Sequence, residues 1–148
     1  MIKCGIIGYG VMGQIRHTSC NKIKDFNVVK IYDPDNDLSG ESLWAASEKE
    51  IINDDNIDVV FICTPNYLNK DLTIECLKKN KHIFCEKPPA LKSKDILEIQ
   101  SYEKESSSIL MYGFNHRHHQ SIIACKKIID EKRYGNILWL RGRYGKSV

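Results

Sequence analysis

Residues 84–89 read FCEKPP, an acid and a lysine side by side after an apolar run and before two prolines that stop a strand. A lysine that ends a buried strand can carry its ammonium over a crevice and there bind a hydroxyl or share a proton with it. Glu86 beside it would orient Lys87 or reach a ribose. The competing account is a surface salt bridge with a proline stop, which is worth little energetically. A second candidate lies near the start, where Gly8-Tyr9-Gly10-Val11-Met12-Gly13 forms a GxGxxG between an apolar run and a helix-like segment. Glycines in that pattern allow a tight turn, a close backbone approach to a pyrophosphate and close helix–strand packing, and the helix N-terminus offers free N–H groups to the phosphates. Asp33 lies twenty residues after Gly13, at the end of the second apolar run. An acid there can accept hydrogen bonds from both ribose hydroxyls of an adenosine and repels a 2′-phosphate, which favours NAD over NADP. Pro34 leaves open a turn-forming role for the same aspartate.

Positioning these residues requires strands that end together. The runs in MIKCGIIGYG, FNVVKIY, IDVVFIC, KHIFCE and SSILMYGF are short and rich in Val, Ile, Phe and Tyr, as buried strands are. Helical spacing joins Met12, Ile15, Ser19 and Ile23, then Leu68, Leu72 and Cys76, then Ile96, Ile99 and Glu103, with Ser93 as the expected cap of the last segment. Between the second and third strands the chain is polar and turn-rich, with one short helix expected at residues 47–52. Strands alternating with helices predict an α/β fold with a doubly wound, mostly parallel sheet and helices on both faces. Thr64-Pro65-Asn66, Glu86-Lys87-Pro88 and Gly113-Phe114-Asn115-His116-Arg117 join the glycine loop and Asp33 at carboxyl ends of strands, the edge where open parallel sheets bind ligands. Farther on, HQSIIACKKIIDEKRYG predicts a helix with Ile122, Cys125 and Ile129 inward, and NILWLRGRYG predicts one more strand.

The 148 residues suit one domain, and 42% hydrophobic with 28% charged residues argues against disorder. The net charge of +3 is scattered without a basic block, so nucleic acid is not the expected partner. No apolar run has the length of a membrane span and no cleavable leader is evident, so the expected compartment is the cytoplasm. Six cysteines (Cys4, Cys20, Cys63, Cys76, Cys85 and Cys125) form no CxxC pair and are expected to be reduced, small, buried hydrophobes. His116, His118 and His119 have no acid or cysteine close in sequence, so no metal site is expected there.

The strings GIIGYGVMG, YDPD, FICTPNYLN, CEKPPAL and GFNHRHHQS occur in the order found in the glucose-fructose oxidoreductase, inositol dehydrogenase and rhizopine catabolism family, written Gfo/Idh/MocA. Essentially the whole chain resembles the N-terminal, Rossmann-type domain of that family. The resemblance implies NAD(P)-dependent oxidation of a secondary alcohol on a sugar, cyclitol or related polyol, or the reverse reduction. It implies that Gly8, Gly10 and Gly13, with Tyr9, Val11 and Met12 between them, bind the pyrophosphate. Asp33 would bind the adenosine ribose, and Thr64, Pro65 and Asn66 would lie along the cofactor. Glu86 would approach the nicotinamide ribose, Lys87 would contact the reacting substrate, and Asn115 and Arg117 would lie near the substrate cleft. A cis Lys87–Pro88 bond and a homo-oligomer at full length are further implications.

Two positions depart from the family pattern: Asn69 stands where histidine is common, and Gln120 where proline is usual. Family members also continue for roughly as many residues again, with an α/β domain that supplies a histidine as acid-base catalyst. The expected organisation is therefore a dinucleotide-binding domain over residues 1–120. Residues 121–148 would be a connecting helix and the first strand of a second domain otherwise missing, so that the fragment alone binds NAD with little or no turnover. The alternatives are a naturally short NAD-binding module that senses cofactor or assists a partner, and a Rossmann domain for another nucleotide such as a coenzyme A ester.

Overall fold

The computed structural model describes residues 1–36, 40, 42–143 and 145. The chain divides into two compact units, residues 1–113 and 114–148. In the first, strands and helices alternate: β1 (Ile2–Ile7), α1 (Val11–Cys20), β2 (Phe26–Tyr32), α2 (Glu48–Ile52), β3 (Val59–Ile62), α3 (Asn66–Lys78), β4 (His82–Cys85), α4 (Ser93–Glu105) and β5 (Leu110–Tyr112). The sheet order is β2-β1-β3-β4-β5, and every pairing is parallel. Trp44 adds a parallel bridge to Ile31 on the outer side of β2, held by Ile31 N–H to Leu43 O at 2.7 Å and Ala45 N–H to Ile31 O at 2.8 Å. Counted as a vestigial strand, it completes the strand order of a Rossmann sheet, whose direction of winding reverses between β1 and β3. Nothing in the polar, turn-rich sequence of that region announces this bridge, and Asp37, Leu38, Ser39 and Glu41 within it lie outside the described residues.

Side-chain alternation along each strand builds a core on each face. Cys4 and Ile6 of β1, Val28 and Ile31 of β2 and Phe61 of β3 meet Cys20 of α1 on one side. On the other, Ile7, Val60, Ile62, Ile83 and Cys85 meet Ile51 and Ile52 of α2, Ile74, Cys76 and Leu77 of α3 and Ile99 of α4. Each fully buried aliphatic chain contributes roughly 1.5–3 kcal/mol, so these clusters carry most of the sheet's stability.

Register decides where the strand ends fall. Tyr32, Ile7, Ile62, Cys85 and Tyr112 pair across the sheet as a single row. The ladder then runs one residue beyond that row, through Gly8 N–H to Tyr32 O (2.8 Å), Cys63 N–H to Ile7 O (2.7 Å), Glu86 N–H to Ile62 O (2.9 Å) and Gly113 N–H to Cys85 O (2.9 Å). All five strands therefore stop together on one edge.

The second unit holds a 3-10 turn (Asn115–His118) and α5 (Gln120–Asp130). Its helix corrects one expectation: no residue of α5 is buried, and Ile122, Cys125 and Ile129 all lie exposed. An apolar stripe fixes a helix only against a partner surface, and the stripe alone does not provide one. The strand expected after it is also not formed among the described residues 136–143, where Leu138 is 96% exposed. β-Propensity is realised through ladder bonds to a neighbour, which these residues lack. Tyr144, at the end of the expected strand, lies outside the described residues. A smaller correction concerns Ser93, which is the first residue of α4; Lys92 precedes it, and no side chain caps that helix.

Charge ties β2 to α2 and to the turn after it. Lys30 Nζ lies 2.9 Å from Glu50 Oε1 and 3.0 Å from Asp54 Oδ2. The Asn56 N–H first, and then Lys30, hold the Asp54 carboxyl down at about 2, below its ordinary 3.8. Because the folded value is depressed, the contribution is present above the ordinary carboxylate range and is lost as pH falls toward 2. Asp54→Asn should cost about 1 kcal/mol at neutral pH after discounting for solvent screening. In urea titrations at a series of pH values, the gap to wild type should close as the medium is acidified through that range. A gap that stays constant would show that the carboxylate charge is not its source.

Candidate functional site

The site is built where the ladder stops. Gly8 has φ of +90°, and a Cβ on it would lie 2.6 Å from Cys63 O, so both its conformation and the closeness of β3 require glycine. Gly13 brings α1 against the loop, since a Cβ there would lie 2.1 Å from Gly8 O. Gly10 differs from both. A Cβ on it meets nothing within 4 Å, and it immediately precedes α1, whose N-terminus no side chain caps. The loop thus leaves an open cradle before a helix terminus with its N–H groups and partial positive charge, which suits a pyrophosphate. Val11 and Met12 begin α1 with exposed side chains.

Asp33 is buried at 7% exposure, and its carboxylate faces the loop. Oδ2 accepts the Tyr9 N–H, while Oδ1 accepts the N–H groups of Asp35 (2.9 Å) and Asn36 (3.2 Å). Asp33 therefore shapes the turn before and after Pro34 and also stands at the strand end. A carboxylate has about four acceptor positions, so Oδ2 keeps capacity for a hydroxyl donor. A crevice of about 410 Å³ joins Gly8, Gly10, Asp33, Thr64 and Pro65 with Tyr32, Glu48, Tyr67, Leu68 and Leu72. Leu68 and Leu72 read as a helical stripe in the sequence; in the fold they also form one wall of this crevice.

At the end of β4, the two charged residues separate. Glu86 is buried and Lys87 is exposed, and Lys87–Pro88 is cis. Glu86 does not orient Lys87: its Oε1 accepts from Arg16 of α1, through Nε at 2.9 Å and through a second bond from Nη2. Arg16 also lies over the Phe84 ring at 4.5 Å from its centroid. Gly113 belongs to the same corner, because a Cβ on it would lie 2.8 Å from Glu86 Oε2. Sequence reasoning missed Arg16; 70 positions separate it from Glu86, and no local pattern reports such a pairing.

Thr64 donates its hydroxyl to Asn69 Oδ1 at 3.0 Å, Pro65 precedes α3, and Asn66 begins it. Asn115 and Arg117 lie on the 3-10 turn of the second unit. Among the described residues no three His, Cys, Asp or Glu side chains are grouped to hold a metal ion, and no helix is long and apolar enough to cross a membrane. Of the six cysteines, Cys4, Cys20, Cys76 and Cys85 are buried, Cys63 is half-buried beside the crevice, and Cys125 is exposed. Burial pushes the Cys63 and Cys85 thiols up to about 12, which makes them poor nucleophiles.

Two glycine variants separate cradle from scaffold. Gly10→Val should fold with a melting temperature close to wild type yet lose most dinucleotide affinity, because its side chain enters the open cradle. Gly13→Ala should instead lose roughly 2–3 kcal/mol of stability by forcing α1 off the loop. Thermal melts with calorimetric titration of NAD check both; a Gly10→Val protein that binds normally would show that the cradle is not the binding site.

The profile described as "Oxidoreductase family, NAD-binding Rossmann fold" (Gfo/Idh/MocA) matches residues 2–114. The chain is 32% identical to 2,7-anhydro-N-acetylneuraminate hydratase of Escherichia coli, covering 93% of this chain and 38% of the relative. It is 30% identical to myo-inositol 2-dehydrogenase of Thermotoga maritima, over 90% of this chain and 42% of the relative. Among solved structures, myo-inositol dehydrogenase of Lactobacillus casei in complex with NAD(H) and myo-inositol superposes with a TM-score of 0.84 at 26% identity, covering 91% of this chain and 43% of that one. The chain thus spans about two fifths of the length of the curated relatives it matches. With the all-parallel sheet, the glycine cradle and the family profile in agreement, the chain belongs to the Gfo/Idh/MocA oxidoreductase family and forms its NAD-binding Rossmann fold.

Proposed function

We propose that this chain is the cofactor-binding half of an NAD(P)-dependent oxidoreductase that moves a hydride between nicotinamide and a secondary alcohol of a sugar, cyclitol or related polyol. The observation that carries the reading is the shared edge: the glycine cradle, Asp33 and Lys87 follow strands that end in one row. β1 and β4 are separated only by β3, so at the usual strand spacing the cradle and the Lys87 segment are about 10 Å apart across the sheet. That span suits an extended dinucleotide. The inositol dehydrogenases among the relatives support a polyol substrate, and the relative named a hydratase shows that the net reaction can differ at similar identity.

In this reading Gly8, Gly10 and Gly13, with Tyr9, Val11 and Met12, hold the pyrophosphate. Asp33 binds the adenosine ribose and, as a fixed anion, rejects a 2′-phosphate, so NAD is preferred to NADP. Thr64, Pro65 and Asn66 line the dinucleotide's course. Glu86, steadied by Arg16, approaches the nicotinamide ribose. When bound, the nicotinamide supplies the hydride acceptor or donor. Lys87 would donate a hydrogen bond to the substrate oxygen and give it a positive neighbour as the hydroxyl proton passes to a general base, the role the resemblance gives to a histidine of the second domain. Asn115 and Arg117 contribute to binding the polyol.

Calorimetry with NAD, NADP and coenzyme A tests the cofactor assignment. NAD should bind at least about tenfold more tightly than NADP, and Asp33→Ala should erase the difference. Tighter binding of NADP or coenzyme A by the wild-type chain would overturn the assignment. For the reaction, in this chain joined to the substrate domain that the reading expects, NAD reduction with a panel of cyclitols and sugars should fall about a hundredfold or more in Lys87→Met, while NAD affinity stays within about threefold. Unchanged turnover would remove Lys87 from the site.

A further inference from the structure

Past Glu86 the sheet no longer holds the chain, because the last ladder bond of β4 is the Glu86 N–H to Ile62 O. The segment that carries Lys87 is bridged instead by one side chain, with the Cys85 thiol a further, weak donor to the Glu86 carbonyl. Asn69, in the first turns of α3, is 1% exposed. Its Nδ2 donates to the carbonyl of Glu86 at 3.1 Å and to that of Pro88 at 2.9 Å, one on either side of Lys87. Its Oδ1 accepts the Thr64 hydroxyl at 3.0 Å. Among the described residues no other hydrogen bond fixes the backbone from Lys87 to Leu91.

The chemistry of the carboxamide matches this task. Two acceptors flank Lys87, and a primary amide offers two N–H donors on one uncharged nitrogen together with an acceptor for the threonine hydroxyl. A carboxylate of the same shape would set oxygen against both carbonyls, and a neutral imidazole has only one N–H to give. Because the Asn69 side chain is buried, loss of the carboxamide would leave the Pro88 carbonyl without its protein partner and the Glu86 carbonyl with only the weaker Cys85 thiol at 3.4 Å.

We propose that Asn69 is a positioning residue for Lys87: it grips the carbonyls before and after that lysine and refers them, through Thr64, to the end of β3. The proposal rests on the reading of Lys87 as the group that meets the substrate beside the nicotinamide. Asn69 itself touches neither cofactor nor substrate.

The test labels the lysines of the whole chain by reductive ¹³C-dimethylation and follows the Lys87 resonance, identified by its absence in Lys87→Arg, as NAD is added. In wild type that resonance should shift on NAD binding. In Asn69→Ala the NAD affinity should stay within about threefold, while the Lys87 shift falls by at least about half. Asn69→His, which keeps one donor, should restore part of the response and supplies the folded comparison should the alanine variant be unstable. A full wild-type shift in either variant, or a loss of NAD affinity that parallels the loss of shift, would overturn the positioning role and leave the reading of Lys87 intact. A wild-type resonance that ignores bound NAD would instead overturn that reading, and the positioning role with it.

Discussion

Parallel pairing in a single register is the constraint on which the rest depends. A parallel ladder forces every crossover to return the chain to the same starting edge, so every strand delivers its last residue to the opposite one. Here the row Tyr32, Ile7, Ile62, Cys85 and Tyr112 aligns all five strands. Residues far apart in sequence become neighbours as a result: Gly8, Asp33, Cys63, Glu86 and Gly113 each follow that row by one position. A slip of one residue in β4 would exchange Phe84 with Ile83 and Cys85 between the two cores and carry Lys87 away from its level. The buried aliphatic side chains on both faces therefore fix the site's geometry even though none belongs to the site.

Beyond the ladder, three kinds of contact replace sheet hydrogen bonds. Gly8 and Gly13 allow backbone to lie against backbone, at distances where any Cβ would collide with a carbonyl. The Arg16–Glu86 pair joins the first helix to the fourth strand end, with the guanidinium also covering Phe84. Taking two charges out of water is costly, and the pair recovers this through two hydrogen bonds to one carboxylate oxygen and through the aromatic face. Asn69 supplies the third contact, uncharged and fully bonded. Together these leave Lys87 exposed directly after the buried pair Cys85 and Glu86.

What the sequence revealed was local. Short Val- and Ile-rich runs, a glycine pattern before a helix and an acid at the end of the second run each follow from a few adjacent residues, and all were found where expected. The pairing of Glu86 was not legible, because its partner lies on another element and FCEKPP by itself suggests its own lysine. Asn69 was visible only as a departure from a resembled pattern, since its three hydrogen bonds exist only after α3 is laid against two strand ends. The Trp44 bridge was hidden in a polar stretch for the same reason. The stripe on α5 and the β-prone run after it show the converse: periodicity states which face could be buried, and a partner surface decides whether it is.

The central claim is that one crevice along one edge takes the dinucleotide from Asp33, across the glycine loop, toward Lys87. A crystal structure of the chain with NAD bound tests it most directly. The account predicts the adenosine ribose on the Asp33 carboxylate, the pyrophosphate against the backbone at Gly10 and the start of α1, and the nicotinamide ring beside the Lys87 segment. A dinucleotide bound at the amino-terminal edge of the sheet, or running from the glycine loop away from β4, would contradict it.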